Sequence, residues 1–333
     1  MAVTLNDVAK KAGVSASTVS RVISGKEKIS DKTKEKIFSI MKELDYHPNS
    51  QARNLATGSS QTIGLVINAN EKDFYSNIFF SSSVFGIEKI AQDNSYNLII
   101  TNNQKKRNDK ASIDTLLFEK KVDGIILPPL LLTKTLITKL KNNKIPFVVL
   151  GEPNYFKDKI SWVDINNTKG SNLATSHLYN KGYKQIAFLG GSENEIFTKN
   201  RIIGYKNSLN NQEPLIFNTE NSEESITQAA TEILKNKKVD SVICNDNITA
   251  LLLSKAAKEQ NVHIPQDLGI ITFDDYPLSK YISPSLTSIV TDTYTQGEMA
   301  ANMLFSLIQG KTAITHSLID VSLIERESSM RNL

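Results

Sequence analysis

Residues 4–25, "TLNDVAKKAGVSASTVSRVISG", set two short apolar runs on either side of one glycine. Leu5, Val8, Ala9 and Ala12 recur at i, i+3, i+4 and i+7, which predicts an amphipathic helix that starts after Thr4. Gly13 is placed to stop it, because a helix C-terminus favours a residue that tolerates left-handed backbone. Ser15 then suits the N-cap of a second helix, with Val19, Val22 and Ile23 on its apolar side and Gly25 at its end. Ser30-Asp31 opens a third through "KTKEKIFSIMKELDY", with Ile37, Ile40, Met41 and Leu44 inward. Two short helices joined at a glycine turn and braced by a third read as an all-α helix-turn-helix headpiece.

The second helix of such a unit enters the DNA major groove with its N-terminal residues nearest the bases. Small side chains at Ala16 and Ser17 permit close approach, and the hydroxyls of Ser15, Thr18 and Ser20 suit phosphate oxygens. Arg21 reaches phosphate or the O6/N7 edge of guanine, a contact worth about 1–3 kcal/mol of discrimination. Charge supports this. Residues 1–60 hold 10 Lys+Arg against 6 Asp+Glu, while the remainder holds 29 of each. The whole net charge of +4 therefore sits in the headpiece segment, as a polyanionic partner for that segment requires. In "HPNSQARNLATGSSQ", Pro48 stops the third helix and Asn49 or Ser50 caps a short segment ending at Gly58. Nine residues are marginal as an isolated helix, so this linker needs something to hold it.

From Thr62 apolar strands alternate with helical stretches: "TIGLVI", "NLIIT", "VDGIILP", "IPFVVLG", "QIAFLGG", "LIFN", "VDSVIC" and "DLGIITF". That order predicts parallel sheets covered by helices. "LLFEKKVDGIIL" (116–127) and "EILKNKKVDSVIC" (232–244) share one layout, and each leads through a helix to Ile-Pro and another strand. The repeat predicts two doubly wound halves, as in periplasmic-type sugar-binding proteins, with ligand between them at the carboxyl ends of strands. Polar residues after strands are then the candidates for contact: Glu152, Asn245, Asp246 and Asp274, with Arg201 on a helix. Asp, Asn and Arg each bind two adjacent groups and so suit paired sugar hydroxyls. Phe74 and Tyr75, after the first strand, are candidates to stack on an apolar sugar face. Trp162 is read as packing near the passage between halves, and "YTQGEMAANMLFSLIQG" (294–310) as a helix serving core or partner.

Other classes fit poorly. No run approaches the length of a membrane span, and Met1 to Lys11 lacks the apolar core of a signal peptide, so a cytoplasmic location is expected. The single Cys244 ends an apolar strand and reads as a buried thiol. His47, His177, His263 and His316 show no metal-ligand spacing, and Gly190-Gly191 lacks the lysine of a phosphate loop. No nucleophile, base and orienting group assemble, so no enzyme, cofactor or metal is expected.

Residues 4–25, with "ISDKTKEKIFSIMKELDYHPNSQARNLATGSSQTIGLV" after them, resemble the headpiece of the LacI/GalR family of transcription regulators. Within it, "DFYSN", "FVVLGEP" and "NRIIGYKNSL" are most similar to the maltose-operon repressors of Gram-positive bacteria, a subgroup that often has lysine where Glu152 stands. The resemblance implies a headpiece over 1–46, a hinge helix over 47–60 and an effector-binding core over 61–333. The core divides into an N-subdomain of about 61–161 plus 291–318 and a C-subdomain of about 162–290 plus 319–333. It adds Thr4, Asn49 and Ala52 to the DNA-contacting residues and makes Leu55 a wedge in the minor groove. It implies a homodimer on near-palindromic operator DNA, released by a maltose-like sugar held by Arg201, Asn245, Asp246 and Asp274. Alternatives are another sugar or a corepressor-dependent regulator; a sugar-binding protein without regulation is opposed by the headpiece.

Overall fold

The computed structural model describes residues 3–23, 29–47, 58–67, 78–103, 112–192, 194–220 and 222–331. The chain forms two compact units, residues 1–60 and 61–333. In the first, α1 (Leu5–Ala12) opens with a capping box between Thr4 and Asp7 and ends at Gly13, whose φ of 68° is left-handed. Helix α2 (Ala16–Ile23) starts at Ser15, whose hydroxyl accepts the Thr18 N–H at 3.2 Å. Helix α3 (Asp31–Glu43) lies across both, and Val8, Ala9, Ala12, Val19, Val22, Ile37 and Ile40 make a small sealed core. Met41 and Leu44 pack at its margin. Lys11 and Glu43 close the outside at 2.6 Å, an exposed pair of small energetic weight.

The second unit has two sheets of one design. In the first lobe β1 (Thr62–Ile67), α4 (Ile78–Asp93), β2 (Asn97–Asn102), α5 (Ser112–Phe118), β3 (Gly124–Leu127), α6 (Lys134–Asn142) and β4 (Phe147–Leu150) alternate, then β5 (Trp162–Ile165) follows. The second repeats this with α7 (Asn167–Asn180), β6 (Ile186–Leu189), α8 (Ile196–Asn207), β7 (Leu215–Phe217), α9 (Glu223–Lys235), β8 (Ser241–Cys244), α10 (Asn247–Glu259), β9 (Gly269–Phe273) and β10 (Thr287–Thr291). Helix α11 (Thr293–Ile308), β11 (His316–Ile319) and β12 (Val321–Ile324) complete the chain. Sheet order is β11-β5-β4-β3-β1-β2 in one lobe and β12-β10-β9-β8-β6-β7 in the other. All described pairings are parallel except β10 with β12. The sequence repeat is thus a repeat of topology. Among the described residues no helix is long and apolar enough to cross a membrane.

The chain passes between lobes three times, after Ile165, after Thr291 and after Ile319. The first passage corrects the expected boundary at 161/162. Strand β5 bonds to β4 and β11, so Trp162–Ile165 belongs to the first lobe. Trp162 is buried there and stacks on His316 at 5.3 Å. The three passages lie together: the Asn166 N–H donates to the Ile319 carbonyl at 2.9 Å, and Gln296 Nε2 donates to the Val163 carbonyl at 3.2 Å.

Helix α11 packs on α4 and on β3, β4 and β5. Leu304 is fully buried, and Met299, Met303 and Leu307 pack on the same cluster, so this helix serves the core. Its contact with α4 depends on two reciprocal glycines. A Cβ on Gly297 would stand 2.2 Å from the Ser83 carbonyl oxygen, and one on Gly86 would stand 2.2 Å from that of Tyr294. Both obstacles are backbone, which cannot swing aside. Gly297→Ala is therefore expected to destabilise the core by about 3 kcal/mol, the upper range of overpacking, read as a lowered midpoint in chemical denaturation.

Candidate functional site: a headpiece face and an interlobe cleft

The headpiece turns Ser15, Ser17, Ser20 and Arg21 to solvent while Val19 and Val22 face inward. Ser15 Oγ lies 2.8 Å from both Ser17 Oγ and Thr18 Oγ1, so the hydroxyls form a local cluster at the start of α2. Through Ser15 Oγ that cluster answers the Thr18 N–H, one of the orphan donors of the helix start. Ala16 is half-buried beside them. Thr4 is spent on its capping box: its N–H and Oγ1 both donate to Asp7 Oδ2, holding the Asp7 carboxyl below its usual range. Asn49, Ala52 and Leu55 lie outside the described residues, as do Phe74 and Tyr75.

In the core, Arg201 on α8 is the residue around which the polar groups at the strand ends gather. Its side chain is buried, and burial pulls the guanidinium below its ordinary pKa against the opposing pull of Asp274, Asp246, Asp164 and Glu195. Nε donates to Asn167 Oδ1 at 2.8 Å, Nη1 donates to the Asn245 carbonyl, and the guanidinium carbon lies 3.9 Å from the Phe273 ring centre. Planar charge over an aromatic face and fixed carbonyls suits arginine rather than lysine. Four described candidates are thereby gathered, since Asn245 follows β8 and Asp274 follows β9. Asp246 caps α10, accepting the Thr249 N–H at 2.8 Å. Asp274 holds left-handed backbone at φ 67° and accepts from Thr291 Oγ1 at 2.6 Å, while its carbonyl accepts from Asn247 Nδ2 at 2.8 Å.

Glu152 comes from the other lobe, in the loop after β4. Asn200 Nδ2, on α8 of the second lobe, donates to its Oε2 at 2.7 Å, and the Lys157 ammonium donates to its Oε1. A side chain expected to touch ligand is here a bridge across the cleft. Asn167, Asn200, Lys157 and Asp164 were not singled out from sequence. The strand that carries Asp164 and leads to Asn167 is four residues long and gave no recognisable period.

Asp164, at the end of β5, is 5% exposed, and burial pushes its carboxyl up to about 7 against the pull of Arg201 and Lys157. Cys244 is sealed beneath the site, its thiol pushed well up by burial first and Asp246 second. Among the described residues no group of three or more His, Cys, Asp or Glu is placed to hold a metal ion.

A helix-turn-helix headpiece with a two-lobed, doubly wound core defines a DNA-binding regulator built on a periplasmic-binding-protein-like frame. Residues 4–49 match the model of the bacterial regulatory proteins of the lacI family, and residues 175–329 that of the periplasmic binding protein-like domain. The chain is 34% identical over 283 residues to the HTH-type transcriptional regulator MalR of Streptococcus pneumoniae serotype 4, covering 82% of this chain and 84% of that protein. It is 31% identical over 309 residues to catabolite control protein A of Staphylococcus xylosus, covering 91% and 92%. The lac repressor dimer bound to operator and the anti-inducer ONPF superposes with a TM-score of 0.81 at 25% identity, over 99% of this chain and 100% of that one. The chain belongs to the lacI family and is a transcriptional repressor of sugar utilisation rather than an enzyme.

The buried Asp164 carboxyl has a consequence for stability. A folded-state pKa near 7 against an ordinary 3.8 means that the native protein keeps a proton that the unfolded chain releases. Stability therefore falls as pH rises from about 4 to about 7 and stays lower above it. Asp164→Asn removes the ionisation. The variant is expected to gain on the order of 2 kcal/mol over wild type at pH 8, and none at pH 4. Thermal denaturation at the two pH values should show a several-degree gain at the higher one only.

Proposed function

We propose that this chain represses a carbohydrate operon in the cytoplasm as a homodimer on near-palindromic operator DNA, and that a maltose- or maltodextrin-like sugar in the interlobe cleft releases it. The observation that carries the ligand half is the cleft's polar balance. One buried guanidinium is surrounded by Asp164, Asp246 and Asp274, with Glu152 and Lys157 across the gap. Such a site offers acceptors in excess and has its cation compensated, so it suits a neutral donor of many hydroxyls and repels an anion. Arg201, Asn245, Asp274 and Glu152 hold the sugar in this reading, with Asp246 chiefly fixing the start of α10. A sugar must displace the Glu152–Asn200 bridge. Movement about the three passages is then passed through residues 47–60 to the headpieces, where Ser17, Ser20 and Arg21 read DNA, Leu55 wedges the minor groove, and Thr4, Asn49 and Ala52 meet the backbone. Typical coupling is about 1–3 kcal/mol, a 5–150-fold change in operator affinity.

A second copy is supported by apolar side chains left outside the second lobe. Ile248 and Leu251 on α10, and Leu278 and Tyr281 in the neighbouring turn, are exposed, and Ser279 Oγ bonds Asn247 Oδ1 at 3.0 Å to hold the two segments together. Contiguous apolar side chains of this kind fit an interface. Tyr281→Asp is expected to shift the protein towards monomer in analytical ultracentrifugation.

The functional test is a gel shift on the DNA upstream of the chain's own gene, with and without maltose, maltotriose, trehalose and glucose. Release by one of them establishes the effector; retention with all four refutes it. Arg21→Ala is expected to lower operator affinity by ten-fold or more and relax its sequence preference, with sugar binding unaltered. Asp274→Ala is expected to bind operator yet stay bound when sugar is added.

A further inference from the structure

Asp164 is built in a way that neither stability nor the contacts above account for. Its Oδ1 accepts the N–H of the next residue, Ile165, at 2.8 Å. Its Oδ2 is sealed from water and has no hydrogen-bond partner. The two cations whose fields reach it are committed elsewhere. The Lys157 ammonium is on Glu152, and Arg201 is spent on Asn167 and the Asn245 carbonyl. One of these cations belongs to each lobe, so the carboxyl lies where the lobes meet, on the last strand before the first passage. A carboxylate kept for packing has both oxygens satisfied, because an orphaned buried acceptor is costly. Here a partner is missing, and the surroundings restrict what it can be. Above about pH 7, where the carboxyl is ionised, it must donate a hydrogen, since the free atom is then an acceptor. It cannot be an anion, since the neighbouring carboxylates already outnumber the cations.

We infer that Asp164 is a further effector-contacting residue, whose free oxygen receives a hydroxyl hydrogen of a neutral polyhydroxyl ligand once the Glu152–Asn200 bridge opens. This rests on the sugar-binding reading of the cleft and adds to it the residue that senses one particular hydroxyl. A site that spends a buried acceptor on a hydroxyl discriminates strongly against the analogue lacking it.

The experiment uses the full chain and the fluorescence of Trp162, the one tryptophan, two residues from Asp164 on the same strand. Wild type and Asp164→Asn are titrated with maltose, maltotriose, trehalose and glucose, and then with monodeoxy analogues of the sugar that binds best. Far-UV circular dichroism checks the fold, which the variant is expected to keep because its amide oxygen can still accept the Ile165 N–H. The variant is expected to bind that sugar at least ten-fold more weakly. One deoxy analogue, bound at least ten-fold more weakly than the parent by wild type, should be bound by the variant as well as the parent is. Equal affinity for the parent sugar in both proteins, or the same discrimination against every analogue, overturns the inference alone. Wild type that binds none of the four sugars overturns the sugar reading and the inference with it.

Discussion

Burying one guanidinium organises the cleft. Arg201 keeps its charge only if the chain around it supplies a hydrogen-bonded and charged surrounding, because desolvation otherwise favours the neutral form. Meeting that condition draws together parts far apart in sequence: Asn167 at the start of α7, the Asn245 carbonyl after β8, the Phe273 ring on β9 and the carboxylates of Asp246 and Asp274. The same helix that carries Arg201 presents Asn200 to Glu152 of the other lobe. One charge thus fixes the second lobe's wall and sets the edge at which the first lobe meets it.

The repeated topology explains why both walls of the cleft can be built from strand ends. In each lobe the polar residue follows the same end of a parallel sheet, and the two sheets are joined by three passages held side by side by backbone and Gln296 contacts. Close helix packing keeps the first lobe rigid around that junction. Gly86 and Gly297 let α4 and α11 touch backbone to backbone, which leaves no room between them for a side chain. Lys169 on α7, which bonds both carboxylate oxygens of Asp320 at 2.6 and 2.8 Å, ties the first passage to the third.

Lys157 brings its ammonium to Glu152 from five residues further along, so the side chain that faces the second lobe is half of a charge pair. The pair leaves one carboxylate oxygen to reach the opposite lobe.

Local chemistry alone determined the headpiece and most of the sheets. Thr4, Gly13 and Ser15 are caps whose effect is confined to one turn, and the apolar runs from "TIGLVI" to "DLGIITF" are long enough to show strands in isolation. The duplication was legible because equal spacing reflects equal topology. Tertiary structure decided the rest. Strands β5, β10, β11 and β12 are short, mix polar with apolar residues and acquire their partners only across long stretches of chain, so no period marked them. Placing β5 in the first lobe moved the boundary beyond Ile165 and revealed Asp164. Whether a polar residue after a strand caps a helix, as Asp246 does, or spans a cleft, as Glu152 does, depends on what the fold brings opposite it. A hydrogen bond between residues 152 and 200 exists only when two separate sheets have formed, and nothing in either local sequence specifies the other.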